Sequence, residues 1–150
     1  MENENIIELE KHDTKDITDK HVNGSLTVIW RNWDKKIKNN PEQVYVSSVN
    51  PGEIKGPHLH TKRNTYFTCI HGKILLIIKK ESGEFEEIFC SGDEPKMVLV
   101  PRNIASAHIN ISDDISRILV LADVAWKPND NEMKNIQFEN YDWKKWNVKN

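Results

Sequence analysis

The sequence predicts an all-β domain, built as a sandwich or a barrel, and three observations indicate this class. Short runs rich in β-branched and aromatic residues recur from residue 26 onward. Turn-forming residues separate these runs at spacings of about eight to twelve residues. No segment between the runs has the length and periodicity of a crossover helix. The 150 residues match the size of one core, so we expect one domain over residues 1–150 with its core at about 25–143.

The elements follow from these patterns in chain order. Residues 1 to about 20 mix charged and polar residues with a few aliphatic ones, which predicts a short irregular N-terminal arm. The predicted strands are LTVIW, QVYVSSV, TYFTCI, KILLIIKK, FEEIFC, MVLVP, SAHINI and SRILVLADVAW. Turns such as Asn50-Pro51-Gly52 and Ser82-Gly83-Glu84 separate them. For the tail 129–150 we expect a short strand or a wrapping segment, with room for one turn of helix.

Charge and composition exclude several classes of protein. Lys and Arg number 21 against 23 Asp and Glu, so the net charge of −2 does not suit a general nucleic-acid binder. The longest apolar run, Ile74 to Ile78, is far shorter than the roughly 20 residues of a membrane span, and the N-terminus does not resemble a signal peptide. We therefore expect a cytoplasmic protein with neither nucleic acid nor membrane as a partner. Cys69 and Cys90 show no CxxC spacing, which predicts buried free thiols.

Three histidines carry the strongest signal for a site. His58 and His60 lie two apart in a predicted strand, so both imidazoles point to the same face. In the later strand, Ser106, His108 and Asn110 share one face in the same way, and a barrel wide enough for a ligand would place that polar face inside. The alternative is that the first two histidines cap a surface loop and that His108 is a hydrogen-bonded core residue.

These residues resemble the motifs of the cupin superfamily. The residues that fall in register with its first motif are Gly52, His58, His60 and Gly72, while Thr65 stands at the glutamate position. The second motif is matched more loosely by Val100-Pro-Arg-Asn103, with Asn in place of Gly, and then His108. The resemblance implies a double-stranded β-helix, or jelly roll.

Within the cupins, residues 43 to 143 resemble the dTDP-4-dehydrorhamnose 3,5-epimerase family. The similar segments are 43–58, 112–114 and 123–132, the last around an aromatic-x-Pro-x-x-x-Glu pattern. The stretches 55–60 and 69–72 are equally similar to the nucleotide-sugar 3,4-ketoisomerases. Both families imply an isomerase that moves protons on a nucleotide-linked 4-keto-6-deoxy sugar through an enolate. Both also imply no metal or organic cofactor and a place in surface polysaccharide biosynthesis.

The resemblance implies a set of catalytic residues. His58 matches the family's catalytic base, and His60 on the same face is a second proton carrier or a donor to the enolate oxygen. Asp123, inside an otherwise apolar strand, is the candidate for the carboxylate that polarises the base. The family's tyrosine acid is absent beside Trp126, so Tyr66 or Tyr45 is the alternative acid if its side chain faces the pocket. The alternation that points His58 and His60 inward would also carry Asn64 and Tyr66 to that side.

Candidate substrate-binding residues surround these positions. Lys55 stands where the family has an arginine, and it could hold a phosphate or stabilise the enolate. A diphosphate would pair with Arg63, Arg102 or Lys62, and a base would stack on Trp30, Trp33 or Trp126. The remaining residues expected to line the pocket are Asn64, His108 and Asn110.

Two other classes compete with the isomerase. A metal-binding cupin, either dioxygenase-like or a sensor, would use His58, His60 and His108 as ligands, although Thr65 removes the usual carboxylate. A noncatalytic carbohydrate-binding or structural domain is the third possibility, because the tyrosine acid is missing. In all cases we expect a homodimer, because this architecture leaves sheet edges and apolar faces for a twofold partner to cover.

Overall fold

The computed structural model describes residues 3–146 as an assembly of antiparallel strands. The strands are β1 (Ile6–Glu8), β2 (Glu10–Lys15), β3 (Val22–Val28), β4 (Gln43–Val49), β5 (Ile54–His60), β6 (Thr65–His71), β7 (Lys73–Lys79), β8 (Phe85–Ser91), β9 (Lys96–Val100), β10 (Ala105–Ile109), β11 (Ser116–Ala122) and β12 (Met133–Asn135). One 3₁₀ turn, Trp143–Trp146, follows them. The expected all-β class is confirmed.

Two five-stranded sheets form the body of the fold. Their strand orders are β1-β9-β6-β11-β4 and β12-β5-β10-β7-β8, and β2 pairs with β3 in a separate hairpin. The inner faces of the two sheets meet in one apolar cluster that includes Val49, Phe67, Leu76, Ile88 and Val120. This is the jelly-roll arrangement of a cupin, with side chains alternating between the interior and the outer faces.

The central strands are covered on both faces, which explains why their sequences are continuous runs of apolar residues. On the second sheet, outward-facing Leu75 and Ile77 pack against Phe138 and Tyr141 of the C-terminal segment. On the first sheet, outward-facing Met97 and Leu121 pack with Tyr66 and with Ile37 from the β3–β4 connection. Strands buried on both faces lose the alternation of apolar and polar residues.

The N-terminal region differs from the irregular arm that the sequence predicted. β1 adds to the edge of the first sheet through Ile6–Glu8 against Lys96–Val98, and residues 10–28 form the β2–β3 hairpin. Of the predicted strand at residues 26–30, residues 26–28 are the end of a longer strand that begins at Val22, and residues 29–30 lie beyond it. These strands are mostly exposed and polar, so backbone pairing stabilises them without leaving a pattern of buried residues. Residues 1–2 of the predicted arm lie outside the described residues.

The C-terminal segment follows the expectation of a short strand, a wrapping segment and one helical turn. β12 pairs with β5, and Phe138 and Tyr141 cover the second sheet before the 3₁₀ turn. Residues 147–150 of the predicted tail lie outside the described part of the chain.

Cys69 and Cys90 are buried and free, as the sequence predicts. Burial raises the pKa of the Cys90 thiol to about 11, so this side chain stays a thiol at neutral pH. A search of residues 3–146 finds no helix long and apolar enough to span a membrane.

Candidate active site

His58 and His60 lie together at one end of the barrel, on the last residues of β5. Their ring centroids are 5.5 Å apart, with the rings edge to face at 76°. Between them, Leu59 packs on the outer cluster, so the alternation of the strand turns both imidazoles toward the interior. Both side chains are half-buried, in the position that the spacing of the sequence predicts.

The backbone before His58 is shaped by Gly56. This glycine has φ of 93°, in the left-handed region, and a Cβ at its position would lie 2.9 Å from the carbonyl oxygen of Ser106. The same Cβ would lie 3.2 Å from Nδ1 of His58. A side chain is therefore excluded where β5 comes close to β10, and the imidazole of His58 packs against the backbone of Gly56.

A buried ion pair stands beside His60. Nδ1 of His60 lies 2.5 Å from Oε1 of Glu132, and Nη2 of Arg63 forms an ion pair with the same oxygen at 2.8 Å. Nε of Arg63 donates a hydrogen bond to Nδ1 of His60 at 3.1 Å. The side chains of Glu132 and Arg63 are only 2% and 7% exposed, so the two charges neutralise each other away from water.

Glu132 is a residue that sequence reasoning missed. It lies in the segment that connects β11 to β12. Its backbone carbonyl accepts a hydrogen bond from the amide of Thr61 at 2.7 Å, which fixes its position next to the end of β5. The only signal for it was its position at the end of the 123–132 segment that resembles the epimerases. Oε2 of Glu132 is buried and has no hydrogen-bond partner among residues 3–146.

Burial keeps the imidazoles of the site neutral. It lowers the pKa of His58, and repulsion from the positive charges of Arg63 and of a protonated His60 lowers it further. Burial also lowers the pKa of His60, although the hydrogen bond to Glu132 acts in the opposite direction. His108 is fully buried, and its pKa falls to about 3. At neutral pH all three rings are thus uncharged, and each can accept a proton on its bare nitrogen.

Three further side chains lie near the pair, two of them in the interior and the exposed Lys55 at its edge. The His108 ring lies 4.7 Å from the ring of Phe67, and its buried Nε2 has no partner in the described structure. Nζ of Lys55 donates a hydrogen bond to Oγ of Ser47 at 2.9 Å. Tyr45 packs against the interior cluster, and burial raises the pKa of its phenol while the charges of Arg63 and Glu132 act on it.

Tyr66 lies on the wrong face for the acid that the sequence predicted. Its side chain packs in the outer cluster, and its hydroxyl accepts a hydrogen bond from the amide of Lys38 at 3.4 Å. Counting by twos from His60 to Tyr66 fails because residues 61–64 form an irregular connection that does not preserve the alternation. Tyr45, the other tyrosine considered, is the one that faces the site.

Asp123 also occupies a different place from the one expected. Its carboxylate accepts hydrogen bonds from the backbone amide and the side-chain Nδ2 of Asn64, both at 2.8 Å. Asn64 in turn accepts a hydrogen bond from the backbone amide of Arg102 at 3.0 Å. These contacts tie together the loops at the histidine end of the barrel, and the carboxylate beside an imidazole is Glu132 instead.

The predicted substrate-binding residues divide between the two ends of the barrel. Trp126 is at the histidine end, 58% exposed, with its backbone amide donating to Oε1 of Gln43.

Asn110 is fully buried at the opposite end, where Nδ2 donates to the carbonyls of Val49 and Asp114. Asn110 therefore stabilises a turn and does not line the site. Trp33 is exposed, with the guanidinium of Arg31 4.9 Å from the centre of its ring, and no contact connects it to the histidines.

The arrangement does not assemble the metal site that was the alternative. His58, His60 and His108 do not bring one ligand atom each within 4.8 Å of one another. Within residues 3–146, the one group that meets this criterion is Asp16, Asp19 and His21, on the exposed β2–β3 turn. Thr65, at the glutamate position of the motif, donates a hydrogen bond to the carbonyl of Val100 instead.

A cavity of about 1010 Å³ opens at the end of the barrel away from the histidines. Its lining includes Gly72, Cys90, Asp93 and Ile111, and none of the candidate site residues. The histidine site lies at the other end of the barrel. It is the mouth of the barrel, where the imidazoles are half-buried beside the Arg63–Glu132 pair.

Comparisons with known proteins agree with this fold. SpsL, a spore coat polysaccharide biosynthesis protein of Bacillus subtilis, is 23% identical over 103 residues, which cover 65% of this chain and 68% of the relative. The structure of a dTDP sugar isomerase of Desulfovibrio desulfuricans matches with a TM-score of 0.78 and 15% identity, over 93% of this chain and 89% of that one.

A third relative is much longer than this chain. The capsular polysaccharide assembling protein CapF of Staphylococcus aureus matches with a TM-score of 0.62 and 24% identity, over 66% of this chain. The match spans only 29% of CapF. These likenesses confirm the cupin jelly roll of the dTDP-sugar epimerases that the motifs predicted. A family model described as FdtA, WxcM-like, C-terminal matches residues 2–143, and the chain therefore belongs to this family.

Proposed function

We propose that the protein is an isomerase that moves protons on a nucleotide-linked 4-keto-6-deoxy sugar. The observation that carries the proposal is the pair of neutral, inward-facing imidazoles, 5.5 Å apart, at the mouth of the barrel. A hydrogen on the carbon next to a ketone is acidified because the resulting anion spreads onto the ketone oxygen. Its removal needs a neutral base near that carbon and a donor near the oxygen, and two adjacent imidazoles provide both.

The proposed substrate class is supported by the relatives and by the surroundings of the site. The isomerase of Desulfovibrio desulfuricans is named for a dTDP sugar, and SpsL and CapF are named for polysaccharide synthesis or assembly. At the same end of the barrel, the exposed indole of Trp126 offers a stacking surface, and Lys55 and Arg102 offer positive charge for phosphates. We propose that the reaction takes place in the cytoplasm, as a step in making a surface polysaccharide.

The 3,5-epimerase and the 3,4-ketoisomerase are both included in this class. An epimerase must return a proton to the face opposite the base, and the family's tyrosine for that task has no counterpart beside Trp126. A ketoisomerase can return the proton from the same side to the neighbouring carbon, which two imidazoles on one face could do. This observation favours the ketoisomerase, while Tyr45 would be the acid of an epimerase.

Incubation with dTDP-4-keto-6-deoxyglucose in heavy water tests the proposal directly. We expect NMR to show deuterium entering the ring at positions next to the ketone, because the abstracted proton exchanges with solvent. Uptake at C3 and C5 would identify an epimerase, whereas uptake at C4 with a ketone at C3 would identify a ketoisomerase. No deuterium at any ring position, together with an unchanged spectrum of the sugar, would contradict the isomerase and favour a binding protein.

A second prediction separates the two tyrosines. Tyr45→Phe is expected to slow product formation by about 100-fold if its phenol reprotonates the sugar, in line with the contribution of a positioned acid. Tyr66→Phe is the matched control, because it removes the same hydroxyl from the outer face of the same sheet. The comparison is made by initial rates of deuterium incorporation. Equal rates for the two variants would remove Tyr45 from the mechanism.

We also propose that a second copy of the chain covers the edge of the first sheet. β4 is an edge strand, and on its outer face Val44 and Val46 are each more than half exposed. Such an edge favours pairing with another strand. Sedimentation analysis should give the mass of a dimer, and a monomer at all concentrations would contradict this part of the proposal.

A further inference from the structure

One guanidinium at the histidine end of the barrel, that of Arg102, has no partner within residues 3–146. The side chain is exposed, and only the backbone amide of Arg102 makes a hydrogen bond with another of these residues. The guanidinium of Arg63, in contrast, is already paired with Glu132. A long, flexible side chain binds an anion well only if its backbone is held in the right place, because ordering it costs entropy. The backbone around Arg102 therefore decides whether this charge is available to a substrate.

Arg102 is the second residue of a tight turn between β9 and β10. The turn runs from Pro101 to Ile104, and the amide of Ile104 donates to the carbonyl of Pro101 at 3.2 Å. Asn103, the third residue, has φ of 67°, in the left-handed region that asparagine tolerates better than most residues. This conformation accounts for an asparagine where the second cupin motif has glycine. The turn thus has a defined backbone, and the Arg102 side chain begins at a fixed point on it.

Both central amides of this turn are bound to the segment 60–64, which leads from β5 to β6. The amide of Asn103 donates to the carbonyl of His60 at 2.7 Å, and the amide of Arg102 donates to Oδ1 of Asn64 at 3.0 Å. The closing bond of the turn uses neither of these amides, so without the two acceptors they would face water. The turn is therefore held at both ends of the segment, and Arg102 lies next to the imidazole pair.

Asn64 can hold Arg102 because Asp123 fixes the orientation of the Asn64 side chain. Oδ1 and Oδ2 of Asp123 accept hydrogen bonds from the backbone amide and from Nδ2 of Asn64, both at 2.8 Å. The amide of Asp123 also donates to the carbonyl of Asn64 at 3.3 Å. Since Nδ2 can only donate and the carboxylate can only accept, Oδ1 of Asn64 is left to accept from Arg102. Asp123, which directly follows β11, thus fixes the turn through one asparagine.

We propose that Asn64 is a positioning residue, which holds the 101–104 turn beside His60 so that the guanidinium of Arg102 receives the diphosphate of the substrate. The class of this substrate is that of the proposed function, on which the assignment rests. Asn64 itself was expected to bind the substrate, but Asp123 and Arg102 already use both polar groups of its side chain. A guanidinium suits the role because it can donate two parallel hydrogen bonds to a phosphate.

The affinity for dTDP tests the role of Asn64 without any reaction. Isothermal titration of the full chain gives the Kd for the wild type, Arg102→Met, Asn64→Ala and the variant with both changes. We expect Arg102→Met to raise the Kd about 10-fold and Asn64→Ala to raise it about 5-fold, in the range for single hydrogen bonds with and without a charged partner. The double variant should bind like Arg102→Met, because Asn64 acts only through Arg102. Losses that add up, or an unchanged Kd in Asn64→Ala, would overturn the proposal.

An exchange of the two partners gives a variant that should recover. Asn64→Asp places a carboxylate against that of Asp123, and Asp123→Asn places an amide against the amide of Asn64, so each change alone should raise the Kd about 5-fold. With both changes, the new amide at position 123 can donate to the new carboxylate at position 64, whose other oxygen still accepts from Arg102. The Kd should then return to within about 2-fold of the wild type, because the bonds of the pair are re-formed. A double variant no better than the single ones would contradict the role of the pair.

The kinetics of exchange separate the positioning of Arg102 from a general loss of structure. Asn64→Ala should raise KM about 5-fold and leave kcat within about 2-fold, because the diphosphate is bound equally before and during the reaction. Asn39→Ala is the matched control, since Nδ2 of Asn39 donates to the same Oδ2 of Asp123 at 3.4 Å, from the β3–β4 connection. This variant should change neither the Kd nor KM. A lower kcat with an unmoved KM in Asn64→Ala, or an effect of Asn39→Ala on dTDP binding, would contradict the assignment.

Failure of the proposed function and failure of the role of Asn64 give different results. Binding of dTDP that depends on Asn64 and Arg102 as expected, with no reaction of the sugar, would contradict the isomerase alone. Exchange on the sugar with a dTDP affinity that does not respond to Asn64→Ala would contradict the role of Asn64 alone. A wild-type chain that does not bind dTDP would overturn the role of Asn64 whether or not exchange occurs.

Discussion

His58→Asn is expected to lower the rate of sugar-proton exchange by about 1,000-fold, within the range for loss of a positioned general base. His60→Asn is expected to lower it by about 100-fold, the lower end for loss of one donor to a developing oxyanion. Both follow from the position of the two rings, 5.5 Å apart on the inner face of β5. Deuterium incorporation followed by NMR measures both rates on the same substrate.

The wild-type rate also has a predictable dependence on pH. Burial lowers the pKa of both imidazoles below the ordinary value of 6.5, so both stay neutral as the pH falls through that value. Exchange should therefore decline only at a pH below the ordinary pKa of an imidazole, where the base becomes protonated. His71→Asn, on an exposed histidine at the opposite end of the barrel, is the control and should leave the rate unchanged. Intact exchange in both His58→Asn and His60→Asn would eliminate the isomerase mechanism.

Arg63→Met is expected to lower the free energy of unfolding by about 3–5 kcal/mol, the cost of leaving one partner of a buried ion pair uncompensated. The side chains of Arg63 and Glu132 are both nearly inaccessible to water, and Nη2 of Arg63 forms an ion pair with Oε1 of Glu132 at 2.8 Å. The double variant Arg63→Met with Glu132→Gln removes both charges and should recover most of the lost stability. Urea denaturation of the four proteins gives the coupling between the two residues.

An exposed ion pair, Lys80–Glu86, is the control for the predicted loss of stability in Arg63→Met. Nζ of Lys80 lies 3.7 Å from Oε2 of Glu86, and the lysine side chain is about half exposed. Lys80→Met should change the unfolding free energy little, because water and salt already screen exposed pairs. Equal losses in Arg63→Met and Lys80→Met, or no recovery in the double variant, would show that burial of the Arg63–Glu132 pair has no special energetic importance.

Within a single strand, local patterns were enough to predict the geometry of the site. The spacing of His58 and His60 placed both rings on one face. The same alternation placed Ser106 and His108 on the inner face of β10, together with Asn110, which directly follows this strand. The runs of β-branched residues identified the central strands, because backbone sterics favour the extended conformation for such side chains wherever they occur.

Predictions that had to cross a loop were less successful. The alternation of side chains predicted Tyr66 on the same face as His60. The connection 61–64 breaks this alternation, and the Tyr66 side chain packs on the outer face of the first sheet instead. Asp123 was expected beside the imidazole because it is a carboxylate in an apolar strand, and its partner is instead Asn64, at the other end of that connection. Asn110 points inward as predicted, but at the end of the barrel away from the histidines.

Local sequence was sufficient to predict the strand-forming character of the chain, the shared direction of the imidazole pair and the motifs that resemble the cupins, because each of these depends on residues a few positions apart. Only the folded chain shows which carboxylate lies beside His60, which tyrosine faces the site and that the N-terminal residues form strands. Those features join segments far apart in the chain, such as Glu132 to His60 or β1 to β9. Contacts at that range depend on strand order and on loop paths, which no local periodicity encodes.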